Sequence, residues 1–515
     1  MAAPTPPAKT LLPETEGQIS LNSREISQLT AVYGWRRLPS AGWDSPSGQR
    51  HSSRMLRWAA GAFAETVHGD KMRPSEIKPT LVRAYGELSR NSESITDREL
   101  PATLVDIDRA DRGGPGHGPV RGSDLVASLR QTIELCDAVD AGSAQLLLGF
   151  SGCGKTTILK QLREQLRATD VVLAADVAEY VQQEPKPDLE WLLTVIAVAL
   201  LSAAQAELGD KGLSIQASFI NEIKQLLDSP VEIEQLNLEY LKVNLKGGAP
   251  LASRLRQTLI NQREGVVASF ARLLEHFRVN SGVPRPILVL DGFEKITTAV
   301  DESAAAYRAL TSLFDLHHKV LKTPGLHVVY VLPPQALRIA PSLREHYDNV
   351  QLIPCVRVSG PPPERKVDLG GQAILREVLA KRIDVNALFA PDAVNVLIAA
   401  SGGHLRLLFR LAAEAVKAAV FAFDREGPSA VPISRAAVEA AIAEHGVLRR
   451  DAARPFAETL AAIARDGDLL GSDTSAVDRV TTALALDQVL PYRNGDVWYD
   501  VHPMLQAAVA KWSKQ

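Results

Sequence analysis

The chain has 515 residues, well above the size at which one hydrophobic core keeps growing, so we expect roughly two to four domains. Lysine and arginine (57) nearly balance aspartate and glutamate (60), and the net charge of −3 excludes a general basic field for nucleic acid. The three cysteines form no CxxC pair and leave one over in any pairing, which favours a reducing cytosol over a disulfide scaffold. No signal peptide or membrane-length apolar run is evident, so the sequence predicts a cytoplasmic protein without a membrane span.

The N-terminal part of the chain carries no chemical motif. Residues 1–20 are rich in Pro, Ala and Thr, a composition that predicts a disordered tail. Residues 21–110 mix helical stretches, such as Pro79 to Leu88, with Ser-, Gly- and Arg-rich segments, and we expect an N-terminal module of unknown role. The stretch DRGGPGHGPVRG at 111–122 contains five glycines and two prolines and is typical of a linker.

Short apolar runs alternate with helical patterns between residues 123 and 360. One of the predicted helices, Leu189 to Ala204, is preceded by Asp188 in a capping position. Buried strands that alternate with helices predict a parallel sheet covered by helices on both faces, which is an α/β fold. The predicted strands are Leu146–Leu148, Val171–Ala174, Ile287–Leu290, Leu326–Leu332 and Val350–Ile353.

Residues 205–280 are less regular, and we expect them to form a helical and β insertion in this core. The stretch VEIEQLNLEYLKVNL, residues 231–245, alternates apolar and polar side chains. Its apolar phase shifts between Ile233 and Leu236 and again between Tyr240 and Leu241. These shifts predict two short strands or a bulged ribbon.

The remainder of the chain divides into two further segments. Residues 361–425 have a wholly helical pattern. Residues 430–515 predict short helices and one hairpin, because the pair Asn494-Gly495 lies between two apolar strands.

The loop GFSGCGKTT, residues 149–157, fits the Walker A pattern G-x-x-x-x-G-K-[ST] between a predicted strand and a predicted helix. Backbone N–H groups of such a loop and the positive end of the helix dipole converge on phosphates. We expect Lys155 to reach the β- and γ-phosphates and Thr156 to ligate Mg²⁺. Cys153 suggests a redox switch, but a small residue among packed backbone is the favoured interpretation. The candidate nucleotide-binding residues are Gly149, Ser151, Gly152, Cys153, Gly154, Lys155, Thr156 and Thr157.

The stretch PILVLDGFEKI, residues 286–296, has the form of a Walker B strand. It delivers Asp291 to the carboxyl end of a parallel strand, where this residue would hold Mg²⁺ together with Thr156. Many hydrolysing ATPases carry a glutamate at the next position, which is Gly292 here. Glu294 is the candidate base in its place, and the alternative is a surface glutamate at the start of a helix.

Walker A, the DGFE form of Walker B and the helical stretch SGGHLRLLFRLAAEAVKAA at 401–419 together resemble AAA+ or STAND-type P-loop ATPases. The nearest branches are the Orc-like and the bacterial defence-associated ones, and the resemblance covers residues 120–425. It implies a P-loop NTPase core at 123–360, a helical lid at 361–425, and ATP with Mg²⁺ as ligands. It also implies that Arg406 is the sensor-2 arginine of the lid, a third catalytic candidate beside Asp291 and Glu294; a solvent-facing arginine is the alternative.

The chain departs from the AAA+ pattern at sensor 1, because the strand VVYVLPP ends without the expected polar residue. This departure brings it nearer to STAND proteins and implies slow hydrolysis. Arg338 and Arg344 are the two candidates for an arginine finger that would complete the site of a neighbouring subunit.

The stretch LALDQVLPYRNGDVWYDVHPML, residues 484–505, resembles part of a winged-helix domain, which we place at 430–515. Around its hairpin only Arg493 is basic, while Asp487, Asp496 and Asp500 are acidic. Because phosphate contacts supply most DNA affinity, this charge favours protein contacts over DNA. Trp498 and Tyr499 are then expected to be core or interface anchors, and base-stacking platforms are the alternative.

The resemblance implies an ATP-binding, slowly hydrolysing molecular switch that couples nucleotide state to domain rearrangement, self-association or control of a protein partner. A role in bacterial defence or signalling is suggested by the resemblance only. The alternative is a DNA-associated AAA+ ATPase, such as a loader or a regulator of transposition or replication. A small-molecule kinase is a third possibility, because a P-loop alone also serves kinases, but the lid signature and the extra domains count against it.

Overall fold

The computed structural model forms two compact units, Met1–Lys71 and Met72–Gln515. In the first unit the described residues form two short antiparallel strands, β1 (Arg36–Arg37) and β2 (Trp43–Asp44). The predicted tail at 1–20 and the predicted linker at 111–122 lie outside the described residues. The structure describes residues 36–37, 43–44, 72–90, 107, 124–166, 169–180, 188–226, 237–241, 257, 259–280, 282, 285–293, 303–322, 326–469 and 474–513.

The second unit opens with one helix and continues into alternating helices and strands. All five strands predicted from the sequence are present, with ends that differ by up to three residues. In chain order the elements are α1 (Pro74–Ser89), α2 (Leu125–Ala138), β3 (Ser143–Leu148), α3 (Lys155–Leu166), β4 (Val172–Asp176), α4 (Leu189–Leu208), α5 (Asp210–Leu226), α6 (Arg263–Asn280), β5 (Ile287–Asp291), α7 (Ser303–Leu316), α8 (His318–Leu321), β6 (His327–Leu332), α9 (Ala336–Ile339), α10 (Leu343–His346) and β7 (Asn349–Leu352).

These strands form one parallel sheet in the order β4-β5-β6-β3-β7. Successive side chains of a strand point to opposite faces, and on β3 Leu146 and Leu148 pack into one apolar cluster while Leu147 packs into another. The first cluster includes α4, α5 and α6, and the second includes α2 and α3. The predicted α/β fold with a parallel sheet covered by helices is therefore confirmed.

Helix α4 is the most apolar element of the core. Its N-terminus is capped as predicted, because the Asp188 carboxylate accepts the N–H of Trp191 at 2.9 Å. Length and composition alone would allow this helix to cross a membrane, whereas no membrane span is predicted from the sequence. However, 78% of its most apolar window is buried inside the protein, so the helix serves as a core element.

The strand prediction for 231–245 is wrong where the structure describes this segment. Residues 237–241 form a bend followed by a helical turn. The Asn237 side chain accepts the N–H of Tyr240 at 2.8 Å, and its carbonyl accepts the N–H of Leu241 at 3.0 Å. An asparagine that caps a turn in this way competes with strand pairing, and Leu238 and Leu241 then share one buried face.

The segment after the sheet is helical, as predicted. Its helices are α11 (Leu369–Ala380), α12 (Val385–Leu388), α13 (Pro391–Ser401) and α14 (Leu405–Glu426). Helix α1, which lies in the range of the predicted N-terminal module, shares a core with them through Ile77, Leu81, Ala84 and Leu88. Lys78 of α1 also forms a 2.5 Å ion pair with Asp424 of α14. The residues around 74–89 thus pack with the predicted lid.

The last part of the chain places three helices before a hairpin and one helix after it. The predicted hairpin is confirmed: Asn494 pairs with Asp496, and Gly495 between them adopts a φ of 76°, which favours glycine. The winged-helix assignment stays a prediction. The elements are α15 (Arg435–Ala453), α16 (Ala457–Asp466), α17 (Thr474–Ala485), β8 (Val489–Asn494), β9 (Asp496–Val501) and α18 (Pro503–Trp512).

One arginine joins this C-terminal region to the segment that follows the sheet. The Arg365 guanidinium donates to both carboxylate oxygens of Asp500, at 2.6 and 2.8 Å, and to the carbonyl of Ala464 at 2.6 Å. The Asp500 side chain is 5% exposed, so this pair is shielded from solvent on the acidic side. Bidentate arginine–carboxylate pairs fix orientation, and this one holds β9 against the chain between β7 and α11.

Candidate functional site

The glycine-rich loop lies at the carboxyl edge of the sheet, between β3 and α3. Its first residue, Gly149, donates its N–H to the carbonyl of Leu332 at the end of β6, at 3.1 Å. A Cβ at Gly149 would lie 2.8 Å from the Cys153 Sγ and 3.2 Å from Ile353, so this position has no room for a side chain. Cys153 is buried and fills this space, which supports its interpretation as a packing residue.

Two glycines turn the loop into the helix. Gly152 and Gly154 have φ values of 84° and 100°, in the region that favours glycine. The carbonyl of Gly154 accepts the N–H of Ile158 at 3.0 Å, and α3 starts from there. The first amides of α3 therefore point back to the loop, where a helix N-terminus favours anions.

Lys155, the first residue of α3, is buried, with 4% of its surface exposed. Its ammonium group donates to the carbonyl of Phe150 at 2.8 Å and to that of Gly149 at 3.2 Å. The positive charge is thus held inside the loop by the loop's own backbone. An ammonium in this position is within reach of any phosphate that the loop holds.

Thr156 and Asp291 meet as the two motifs predict. The Thr156 hydroxyl lies 3.4 Å from the Asp291 Oδ2 at the end of β5. A hydroxyl and a carboxylate are hard oxygen ligands of the kind Mg²⁺ takes, and it keeps waters and substrate phosphates as its other ligands. The two side chains therefore fit Mg²⁺, and within the described part of the chain no group of three or more His, Cys, Asp or Glu residues forms another metal site. Thr157 follows in the first turn of α3.

The predicted lid touches the loop directly. The Arg406 Nη1 donates to the Ser151 hydroxyl at 2.6 Å, and its backbone N–H donates to the Gly152 carbonyl at 3.2 Å. The His404 Nε2 lies 2.8 Å from the Ser151 carbonyl. A Cβ at Gly152 would lie 2.4 Å from the Arg406 Cβ, so only glycine permits this approach. Arg406, predicted to serve the site from the lid, is thus placed over the loop.

His404 has two structural bonds that the sequence did not reveal. Its Nδ1 accepts the N–H of Leu407 at 3.2 Å and so caps α14, which leaves Nε2–H to donate to the Ser151 carbonyl. Burial lowers the pKa of His404 and outweighs the opposing effect of Asp487. The neutral imidazole therefore ties the start of the lid helix to the loop.

The C-terminal hairpin packs behind the same turn of the lid. The Tyr492 hydroxyl donates to the carbonyl of Gly402 at 2.7 Å, and a Cβ at Gly402 would lie 2.6 Å from Leu490. Tyr492 stacks on the half-buried Trp498 with ring centres 5.7 Å apart, which supports the prediction that Trp498 is a core anchor. One continuous line of contacts thus connects the loop, the lid turn 402–406 and the hairpin.

Other sequence candidates stand apart from these contacts. Glu294 lies outside the described residues. Arg338 on α9 and Arg344 on α10 both act electrostatically on Tyr499 of the same chain, and their role as arginine fingers stays a prediction. The first polar side chain after β6 is Gln335, which is buried, and its Oε1 has no hydrogen-bond partner within the described part of the chain.

Buried histidines beside the lid predict that the protein loses stability in acid. Burial lowers the pKa of His404, and burial with Arg449 and His404 lowers that of His502 well below the ordinary 6.5. As pH falls below 6.5 the unfolded chain binds these protons before the folded one does, so the free energy of unfolding decreases. Urea unfolding at about pH 7.5 and about pH 5.5 measures the change.

The matched variant for this prediction is His502→Asn. The asparagine Oδ1 can still accept the N–H of Met504, which His502 Nδ1 accepts at 3.2 Å. We expect this variant to show a smaller fall in stability between the two pH values. An identical fall in both proteins would contradict the assignment to His502.

Comparison with known proteins gives distant structural similarities only. No protein-family profile matches the sequence, and no curated protein sequence is significantly similar to it. The structure of the Aeropyrum pernix ORC2 protein in ADPNP–ADP complexes is 13% identical, with 79% of this chain and 98% of that chain covered and a TM-score of 0.35.

Two further similar structures are of the same kind. The Aeropyrum pernix ORC1 protein in complex with DNA is 15% identical, with 78% and 96% of the two chains covered and a TM-score of 0.31. Cdc6p from Pyrobaculum aerophilum is 14% identical, with coverages of 80% and 99% and a TM-score of 0.30. The chain's own geometry, independently of these similarities, is that of an α/β P-loop fold: a parallel sheet with a glycine-rich loop and an acidic strand end at its carboxyl edge.

Proposed function

We propose that this protein is an ATP-binding molecular switch of the AAA+/STAND type, in which nucleotide at residues 149–157 controls the position of the lid. The observation that carries the proposal is that the lid is hydrogen-bonded directly to the loop. His404 and Arg406 bond to the carbonyl and hydroxyl of Ser151, at 2.8 and 2.6 Å. In this account a nucleotide bound to the loop changes these bonds, and its binding energy then differs between lid positions.

The chemistry of the loop fits a nucleotide triphosphate with Mg²⁺. Lys155 can exchange the carbonyls of Gly149 and Phe150 for phosphate oxygens, which are stronger acceptors. Mg²⁺, when bound, supplies charge neutralisation to the phosphates, and Thr156 and Asp291 would hold it.

Arg406 is the residue that makes the switch sensitive to the γ-phosphate. Its guanidinium donates to Ser151 at the surface of the loop and is exposed, so it can move to a phosphate oxygen without leaving a buried partner unpaired. Loss of the γ-phosphate would return it to Ser151. In this account Asp291, Glu294 and Arg406 serve slow hydrolysis, and exchange or hydrolysis resets the lid.

The line of contacts from loop to hairpin carries the change to the C-terminal region. Gly402 in the lid turn accepts the Tyr492 hydroxyl, and the turn continues directly into His404 and Arg406. Displacement of the lid turn would therefore move or release β8 and β9. We also propose that residues 430–515 form a winged-helix domain and that the protein is cytoplasmic.

The charge of the hairpin favours a protein partner or self-association over DNA. Asp496 at its turn is exposed and Arg493 is half-buried, whereas Asp500 is shielded in its pair with Arg365. The exposed end is therefore close to neutral, and it offers little to the phosphate contacts on which DNA affinity depends. In a self-associated form Arg338 or Arg344 would face the nucleotide of the neighbouring subunit.

Titration of the purified protein with nucleotide tests whether it binds ATP and ADP, on which the proposal depends. Calorimetry in the presence of Mg²⁺ should show saturable binding of ATP and of ADP. The affinities for the two nucleotides should differ. Heat changes indistinguishable from buffer for both nucleotides would overturn the proposed function. Binding of guanine nucleotide with higher affinity would correct the identity of the ligand.

A further inference from the structure

Helix α1 packs on the lid, although it precedes the core in the chain. Its buried side chains lie on one face and are Ile77, Leu81, Ala84 and Leu88. They share an apolar cluster with side chains of α11, α13 and α14. Among the described residues, neither of the two apolar clusters that flank the sheet contains a side chain of α1. Burial of this face therefore fixes α1 to the lid.

One arginine of the lid holds the C-terminal end of α1. The last carbonyl groups of a helix have no partner within the helix, so they need donors from outside it. The Arg382 Nη1 donates to the carbonyl of Glu87 at 3.1 Å and to that of Arg90 at 2.6 Å. The same guanidinium lies over the Phe409 ring of α14, 4.1 Å from its centre. Because this cation meets the negative end of the α1 dipole, it attaches the end of the helix to the lid.

The other end of α1 is attached to the far end of α14. Lys78 lies in the second turn of α1 and forms its 2.5 Å ion pair with Asp424, in the last turn of α14. Both side chains are half exposed, so the pair contributes little to stability, but it fixes the direction of the helix. Since Arg382 holds the opposite end of α1 beside the start of α14, the two helices run antiparallel.

The chain passes from the lid to the core after α1. Met72, which immediately follows the first unit, packs against the lid cluster, and Ile107 is buried in the same cluster. Asp124 then accepts the N–H of Ala127 at 2.9 Å and caps α2, whose apolar side chains share a cluster with β3. The crossing therefore lies between residues 107 and 124, and the chain that precedes Met72 is continuous with the lid.

We propose that α1 is an arm of the lid that carries its nucleotide-dependent movement to the N-terminal unit, Met1–Lys71. This inference rests on the proposed function. Lys78 and Arg382 keep α1 and the lid together as one rigid body, which shifts against the sheet when ATP replaces ADP. Residues 1–71 are then an output of the switch, in addition to the hairpin. Linkage makes the effect reciprocal, so a ligand of the N-terminal unit that favours one position of α1 also changes the affinity for nucleotide.

Distances between spin labels in the full chain test this inference. One label replaces the exposed Arg83 of α1, in a background with Cys136→Ala. The second label replaces Lys319 or Glu134 in the core, or Asp392 in the lid, and all three are exposed. Two core positions are used because a rotation that preserves one distance changes the other. Between ADP and a slowly hydrolysed ATP analogue, we expect the distances to the core to shift and the Arg83–Asp392 distance to stay the same.

Lys78→Gln combined with Arg382→Gln removes the charged contacts at both ends of α1. The apolar face of the helix stays intact, so we expect the protein to remain folded, which thermal unfolding measures on the same samples. The distribution of Arg83–Asp392 distances should become broader than in the parent protein. A distribution as narrow as before would overturn the roles of Lys78 and Arg382.

Lys381→Gln is the matched control for the loss of Arg382. Lys381 is the neighbouring residue, is exposed and has no hydrogen bond to α1 among the described contacts. Its Arg83–Asp392 distances should equal those of the parent protein. A broadening as large as in the double variant would show that the effect is not specific to the contacts with α1.

The distance between Lys319 and Lys417 separates this inference from the proposed function, because it reports the movement of the lid without α1. A lid that moves while Arg83 keeps its distances to the core and changes its distance to Asp392 would overturn the inference alone. A Lys319–Lys417 distance that coincides with both nucleotides, in a protein saturated with them, would overturn the proposed function and leave α1 no movement to carry.

Discussion

Lys155→Ala is expected to lower the affinity for ATP by about 100-fold, which corresponds to hydrogen bonds between an ammonium and phosphate oxygens. Lys155 is buried at the start of α3, and its Nζ is held by the carbonyls of Phe150 and Gly149 at 2.8 and 3.2 Å. Alanine removes the charge from the floor of the loop. It also removes the hydrogen bonds that the two carbonyls accept from the ammonium.

Calorimetric titration with ATP and Mg²⁺ measures this loss. Lys160→Ala is the matched control. Lys160 lies on the same helix, is half-buried and is not part of the loop 149–157. We expect its affinity to stay within about threefold of the wild type. Unchanged ATP affinity in a folded Lys155→Ala protein would mean that residues 149–157 do not form the nucleotide site.

Arg406→Ala is expected to weaken the binding of ATP and to leave the binding of ADP nearly unchanged. The affinity for ATP should fall by about 10- to 100-fold, the range for a charge-assisted bond to one phosphate, while the affinity for ADP changes by less than about threefold. The reason is the position of Arg406 at the rim of the loop, where its Nη1 donates to Ser151 at 2.6 Å. From there the guanidinium can contact the outermost phosphate, which only ATP carries.

Arg410→Ala provides the control on the same helix. Arg410 lies one turn after Arg406 on α14 and is likewise exposed, but it has no bond to the loop among the described contacts. Titrations of the three proteins with ATP and ADP should show discrimination lost only in Arg406→Ala. An equal loss for both nucleotides would assign Arg406 to holding the lid, with no sensing of the γ-phosphate.

Elements whose structure is determined by residues close together in the sequence were predicted correctly. The strands β3, β5 and β6 are buried on both faces because helices cover both sides of the sheet, and the apolar runs in their sequences reflect this burial. The cap at Asp188 and the hairpin at Gly495 follow from side-chain and backbone preferences within a few residues. The Walker motifs likewise identified the loop and Asp291, which the structure brings together through Thr156.

Features that depend on contacts between distant residues were not predicted. The alternation around residue 237 indicated strands, but Asn237 caps a helical turn whose apolar face packs into the core. The sequence does not indicate a role for His404, and only the fold reveals its bond to Ser151. From the sequence, Gly292 only marks the absence of the usual glutamate. The residue that excludes a side chain at this position is Asp176, which lies 116 positions earlier in the chain.

The central claim, that nucleotide in the loop sets the position of the lid, is tested most directly by a distance measurement between spin labels. One label replaces Lys319 on α8 of the core and the other replaces Lys417 on α14 of the lid, and both positions are exposed. Cys136, which is partly exposed, is replaced by alanine, while Cys153 and Cys355 are buried. A second pair at Lys319 and Glu134, both in the core, is the control.

Distances are recorded without nucleotide, with ADP and with a slowly hydrolysed ATP analogue, in the background that retains Lys155 and in Lys155→Ala. The switch predicts that the core–lid distance differs between ADP and the ATP analogue, that the core–core distance does not, and that Lys155→Ala abolishes the difference. Core–lid distances that coincide in all nucleotide states, in a protein shown by titration to be saturated, would contradict the account.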